Sequence, residues 1–406
     1  MPKGGLRPPF SAHAPMDDFE NLFGFGRGEA DLANWRTTPF SRFAFQNTRE
    51  FVPTAQIASA GERPEAPGPG EGALAGATVE IDGERLGWTD FLRRSHTDVF
   101  LALKAGKAVA EWQAPHAQPA NPHILFSVTK SVTGLLAGIL EDRGLLDMTA
   151  PVPVYLPEAR NSGFATATVQ NLADMRTSLK FEEIYLDTDG DYGRYRRAML
   201  WNPADGHAPE TLADMLMAIP PGPEANGGPV EYASPNTDVL SLVIERASAT
   251  RYADLLSEAV WKPLGARRNA YVTLDAAGMA RGAGGLCATA HDLARLGEAI
   301  RRGGEAEGGR IVSGRWIDDM LHGGDSDAWQ NGNFTEFVPD GRYRNSWYQT
   351  GTERGGYCCF GIHGQWLFVD PAAEAVVVKL SSQPLPADET LDRQCHAFFS
   401  QIFPIL

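Results

Sequence analysis

The sequence predicts an α+β fold: an antiparallel sheet assembled from both ends of the chain, helices on its faces, and a mostly helical segment inserted between. Three observations lead there. Strand-like runs occur near residues 98–112 and again at 357–380, while the middle of the chain is helical by pattern. The 406 residues are enough for one large domain or two intimate ones with a sizeable core. With 43% hydrophobic and 21% charged residues, the composition is that of an ordinary globular protein.

Taken in order, residues 1–60 read as an irregular arm. Its aromatics (Phe10, Phe19, Phe23, Phe25, Trp35, Phe40, Phe43, Phe45) argue for packing across the body rather than disorder. Gly61 to Gly76, with Pro64, Pro67 and Pro69, is a linker or exposed loop. Asp98 to Trp112 then reads as two strands around a turn at Gly106. Val128, Val132, Leu135, Leu136, Ile139 and Leu140 recur three or four apart, the mark of an amphipathic helix, which Arg143 and Gly144 end. Prolines 151, 153 and 157 stiffen the next loop, and Thr168 to Met175 begins another helix.

Residues 177–231 are expected to be mostly irregular binding loops, rich in Gly, Pro, Asp and aromatics. Asn236–Ala247 and Tyr252–Trp261 are helical by pattern. Gly282–Gly285 is a tight loop, and Thr289-Ala-His-Asp292 is a capping signal for a helix reaching about Arg301. Tyr357–Ile362, Trp366–Val369 and Ala375–Leu380 read as strands, and Thr390–Phe403 as a closing helix. The organisation expected is an arm (1–60), a sheet-bearing domain (70–120 with 274–406), and a helical domain (121–273) carrying Ser127 and Tyr232.

The formal net charge of −15 argues against nucleic acid or an anionic membrane surface as partner. The longest apolar run, Leu135 to Leu140, is too short to span a bilayer, and no apolar core follows Lys3 and Arg7. Cys287, Cys358, Cys359 and Cys395 show no paired metal-ligand spacing; Cys358 and Cys359 should point to opposite faces of a strand. A cytoplasmic, reduced protein is expected, with neither a zinc site nor a disulfide framework indicated. A second copy of the chain is the one macromolecular partner left open.

The chemistry centres on Ser127. It stands at the mouth of the predicted helix, and Lys130 lies one turn along on the same face. A serine hydroxyl is a poor nucleophile until a base takes its proton, and a lysine serves as that base when burial and nearby cations lower its pKa. Ser-x-x-Lys alone is weak, because an N-cap serine followed by a solvated lysine looks the same. Tyr232, just before a helix, can relay a proton, particularly if a nearby lysine favours its phenolate. Phe360-Gly-Ile-His-Gly-Gln365 joins two strands, with glycines that let backbone approach a ligand and offer an N–H to an oxyanion. Tyr185 sits among Glu182, Glu183, Asp187 and Asp189.

Together, Ser127-x-x-Lys130, Tyr232-Ala-Ser234 and His363-Gly364-Gln365 resemble, in order, the motifs of the penicillin-recognising serine hydrolases. That family includes class C β-lactamases, D-alanyl carboxypeptidases and family VIII-type esterases. The resemblance runs from about residue 95 to 385 and is strongest to members that hydrolyse linear amides. It implies a serine β-lactamase/penicillin-binding-protein-like fold and an acyl-enzyme on Ser127, with Lys130 and Tyr232 moving protons. It further implies oxyanion donors at the main-chain N–H groups of Ser127 and Ile362, and no cofactor. Tyr185 matches a loop tyrosine that meets the leaving amine; His363, Gly364 and Tyr348 complete the implied substrate-binding set, with His363 structural or wall-forming. The family's Lys-Thr-Gly lysine is replaced by His363, and the asparagine of Tyr-x-Asn by Ser234. Small esters and linear amides are therefore the expected substrates. A β-lactamase or D-alanyl peptidase-like activity and a non-catalytic acyl-binding domain are the alternatives.

Overall fold

The computed structural model describes residues 16–335, 338, 340–351 and 355–406. Phe10, Lys3 and Arg7 lie outside them.

A seven-stranded antiparallel sheet forms the frame. Its strands, in spatial order, are Arg342–Arg344, Trp347–Gln349, Tyr357–Gly361, Gln365–Asp370, Ala375–Ser381, Thr97–Lys104 and Lys107–Gln113. The first hairpin pairs with the last strands, as expected: Val378 lies opposite Leu101 and Leu101 opposite Glu111. Successive side chains enter opposite faces, so the sheet has two cores. Val99, Leu101, Leu367, Val369, Val376 and Val378 face the core shared with helix Ala290–Arg301. Phe100, Ala102, Trp366, Phe368 and Val377 face the one covered by Glu389–Ile402 and Trp88–Arg94. Cys358 and Cys359 split between the two cores as their adjacency predicts, and all four cysteines are free. Gly297 lets its helix approach the sheet closely, since a β-carbon there would meet Val376 and Leu367 at 2.7 and 2.8 Å.

The helix Val128–Asp142 is buried more completely than its amphipathic period suggests. Every residue from Val128 to Leu140 is buried, so it is the central rod of the molecule, wrapped on all sides. Residues 177–231 are mostly irregular, as expected, and contain two short helices, Asp191–Ala198 and Leu212–Met217, whose aromatics and leucines pack inward. A second, four-stranded sheet escaped notice because its strands have two to four residues, too few to show a period: Thr54–Ile57, Ala270–Thr273, Leu286–Ala288 and His123–Ile124. This small sheet ties the arm to the segment that leads into Ser127. Trp35 and Phe45 of the arm are fully buried in the main core.

Among the described residues no helix is long and apolar enough to cross a membrane.

Candidate active site

Ser127 is delivered by the short strand His123–Ile124, which pairs with Leu286–Ala288; Leu125 N–H then donates to Leu286 O at 2.9 Å. Phe126 follows in the left-handed region (φ 44°), a conformation unfavourable for a residue bearing a β-carbon. Ser127 opens the central helix without capping it, so its half-buried hydroxyl is not engaged by the helix N–H groups. Lys130 is 2% exposed, and its Nζ donates to Ser127 Oγ at 2.9 Å and to Ala283 O at 2.8 Å. Burial brings its pKa down to about 7, with Arg281 acting in the same direction and Glu183 and Asp238 against it.

Tyr232 approaches from the loop before helix Pro235–Ser248, its N–H held by Asn333 Oδ1 at 3.0 Å. Lys130 Nζ lies 5.0 Å from its ring centroid, and its phenol is hydrogen-bonded to Ser127. Burial, and then the Glu183 carboxylate, hold that phenol well above the usual tyrosine range; the bond to Ser127 only partly opposes this. The phenol is therefore neutral rather than a lysine-favoured phenolate, because burial, and after it the Glu183 carboxylate, disfavour its ionised form.

That carboxylate is the contribution sequence reasoning missed. Glu183, read only as a neighbour of Tyr185, accepts from Ser234 N at 2.6 Å and Ser234 Oγ at 2.7 Å. Its influence extends to Lys130, Tyr185 and Tyr232. Beneath the site, Asp238 accepts from Ala283 N at 2.8 Å and also from Tyr195 Oη and the buried Arg281 guanidinium. No local motif announces either acid, since their hydrogen bonds to Ser234, Ala283, Tyr195 and Arg281 span 40 or more residues of chain.

A cleft of about 260 Å³ is lined in part by Tyr185, Phe334, Phe360, Gly361, Ile362 and Asp392; Ser127, Lys130 and Tyr232 are not in that lining, and Gly361 is its link to the Ser127 turn. Gly361 is obligatory here: a β-carbon would stand 2.7 Å from Leu125 O and 2.9 Å from Ser127 N. The strand end bearing Ile362 therefore abuts the Ser127 peptide. Burial raises the Asp392 carboxyl to about 7, against the pull of Lys379.

Ser127, Lys130, Tyr232, Ile362 and Tyr185 are thus brought together, and three expected contact residues are not in the lining. His363 is 3% exposed, its Nδ1 paired with Gln383 O at 2.7 Å and its ring packed on Phe45 and Phe126. Burial lowers its pKa to about 3, so it is a neutral prop behind the site. Gly364 turns the chain against the Gln383 side chain. Tyr348 is buried behind Phe360, ring centroids 4.6 Å apart, and forms the cleft's backing rather than its surface.

The β-lactamase family model matches residues 93–397. The chain belongs to the β-lactamase family. It is thereby a hydrolase of the β-lactamase and penicillin-binding serine hydrolase superfamily. A 6-aminohexanoate-dimer hydrolase from Paenarthrobacter ureafaciens is 35% identical over 366 residues, 89% of this chain and 91% of that protein. A Bacillus anthracis protein provisionally described as a 6-aminohexanoate-dimer hydrolase has the same fold, with a TM-score of 0.84, 24% identity and coverage of 93% and 97% of the two chains. A family VIII carboxylesterase shares the fold more distantly, with a TM-score of 0.56, 17% identity and coverage of 77% and 95%.

Proposed function

We propose that this β-lactamase-family protein hydrolyses small esters and linear amides, 6-aminohexanoate-type oligoamides among them, through an acyl-enzyme on Ser127. The observation that carries the reading is the 2.9 Å contact between Lys130 Nζ and Ser127 Oγ, made by a lysine that burial brings to about pKa 7. At neutral pH about half of such a lysine is an amine, a base matched to its medium. Lys130 takes the Ser127 proton as Oγ adds to the carbonyl carbon. Tyr232, kept protonated, gives its proton to the leaving nitrogen or oxygen and recovers one from Lys130. Water then attacks the acyl carbonyl with Lys130 as base, and Ser127 Oγ leaves, taking that proton back from Lys130. Opposed displacement of two pKa values from their ordinary positions divides base from acid.

The oxyanion falls to the main-chain N–H groups of Ser127 and Ile362, each donor typically worth ~3–4 kcal/mol. Phe334, Phe360 and Ile362 give the cleft apolar walls that suit an unbranched aliphatic chain, and Tyr185, also in the lining, is assigned to the leaving group. The 35% identity to the Paenarthrobacter enzyme supports the linear-amide part of the reading. A β-lactam is a poorer fit, because His363 is buried and neutral and offers no cation to its carboxylate.

The test is a panel of p-nitrophenyl acetate, p-nitrophenyl butyrate, 6-aminohexanoate dimer and nitrocefin, with wild type and Ser127→Ala. The reading expects turnover of the esters and the dimer by wild type, little turnover of nitrocefin, and none by the variant. Ester turnover that survives in Ser127→Ala would overturn it.

A further inference from the structure

The two peptides assigned to the oxyanion are each followed or preceded by a strained residue. Phe126, immediately before Ser127, has φ 44°; His363, immediately after Ile362, has φ 62°. Neither is a glycine, so each holds a conformation that residues with a β-carbon adopt only uncommonly. One side chain of the N-terminal arm packs against both. The Phe45 ring lies 5.0 Å from the Phe126 ring and 5.1 Å from the His363 imidazole, and those two rings are 5.3 Å from each other. Three rings therefore meet in a triangle whose corners are the arm, the Ser127 turn and the Ile362 turn.

The triangle is anchored on every side. Phe45 O accepts from Ile124 N at 2.8 Å, fixing the arm to the strand that delivers Ser127. His363 N donates to Pro386 O at 2.9 Å, and its Nδ1 meets Gln383 O. On the far side of Phe126, Trp201 packs at 5.8 Å and is in turn met edge-on by Trp35 of the arm at 5.5 Å. Phe45 is fully buried and is not one of the residues lining the cleft, so its place is behind the site rather than in it.

We propose that Phe45 is a positioning residue for the oxyanion site: it clamps the left-handed Phe126 and His363 together and so sets the spacing of the Ser127 and Ile362 N–H groups. The proposal rests on the acyl-enzyme reading above. It makes the N-terminal arm a part of the active-site machinery rather than a covering. Preorganised donors stabilise an oxyanion only where they are held in place, so loss of the clamp acts on the transition state and leaves ground-state binding alone.

The test measures p-nitrophenyl butyrate kinetics and phenylboronic acid inhibition for wild type, Phe45→Leu, Phe45→Ala and Ser127→Ala. With the boronic acid, Ser127 Oγ adds to trigonal boron, its proton passes to Lys130, and a boron hydroxyl occupies the oxyanion position. In Phe45→Leu, which keeps most of the apolar volume, kcat should fall ~10-fold, as expected for a sub-ångström misplacement. KM should stay within about 2-fold, and the boronate Ki should rise by the same ~10-fold factor. Phe45→Leu and any folded Phe45→Ala with wild-type kcat and boronate Ki would overturn the proposal. So would a change in KM alone. Unchanged boronate affinity in Ser127→Ala would mark failure of the acyl-enzyme reading itself, a different result from failure of the clamp.

Discussion

Asp238 and Lys130 grip the same residue from opposite ends: the carboxylate accepts from Ala283 N–H and the ammonium donates to Ala283 O, each at 2.8 Å. The loop Gly282–Gly285 thus serves as a spacer between a buried acid and the lysine beside Ser127. Asp238 is also the partner of the buried Arg281, so its charge cannot be removed quietly. Asp238→Asn should cost about 3–5 kcal/mol of stability, the price of stranding a buried guanidinium. Urea denaturation checks this; a loss under about 1 kcal/mol would show that Arg281 finds another partner.

The pH dependence of kcat/KM follows from the sign of the two shifts. Lys130 acts as base only when deprotonated, so activity should rise with pH through a single ionisation near 7. Tyr232 acts as acid while protonated, and its pKa lies well above 10, so no falling limb belongs below about pH 10. Glu183 raises the Lys130 pKa, so Glu183→Gln should move the rising limb to lower pH. A limb that stays in place, measured with p-nitrophenyl butyrate, would contradict the coupling.

Tyr232→Phe separates acid from base. A nitrophenolate leaves without a proton, whereas an amine does not. The variant should lose about 10²–10⁴-fold on the linear amide and much less on the nitrophenyl ester. Equal losses on both would remove Tyr232 from leaving-group protonation. Lys130→Met, by contrast, should depress both substrates by about 10²–10⁴-fold, since acylation by either needs the Ser127 proton removed.

Gly361→Ala tests the close approach behind the oxyanion site. Its methyl group would press on Leu125 O and Ser127 N, both rigid backbone. An activity loss of at least ~100-fold is expected, with about 1–3 kcal/mol of destabilisation from overpacking. Wild-type kcat in this variant would show that the Ile362 turn can retreat without consequence.

What was legible in the sequence is mostly what is local in the chain. Ser127 and Lys130 are three apart on one helix, so helical geometry alone puts them together. The 97–113 hairpin, the alternation that divides Cys358 from Cys359, and the Thr289 cap, which accepts from Asp292 N at 3.1 Å, are equally local. Glu183, Asp238 and Arg281 were not singled out, because a charged residue in a loop or helix usually marks a solvated face. Their roles depend on burial by segments far away in sequence. The left-handed backbone at Phe126 and His363 was invisible for a related reason: only tertiary packing sustains it in residues other than glycine. His363 lies in the expected turn and takes the structural of its two expected roles, while the motif, which specifies a position, does not reveal the aromatic triangle that takes up its ring.

The central claim is that Ser127 carries the acyl group, and intact-mass spectrometry during p-nitrophenyl acetate turnover tests it most directly. In rapidly acid-quenched samples the wild-type protein should gain one acetyl group, mapped by peptide analysis to Ser127, and Ser127→Ala should gain none. An acetyl group found on another residue, or on Ser127→Ala at the wild-type level, would contradict the account.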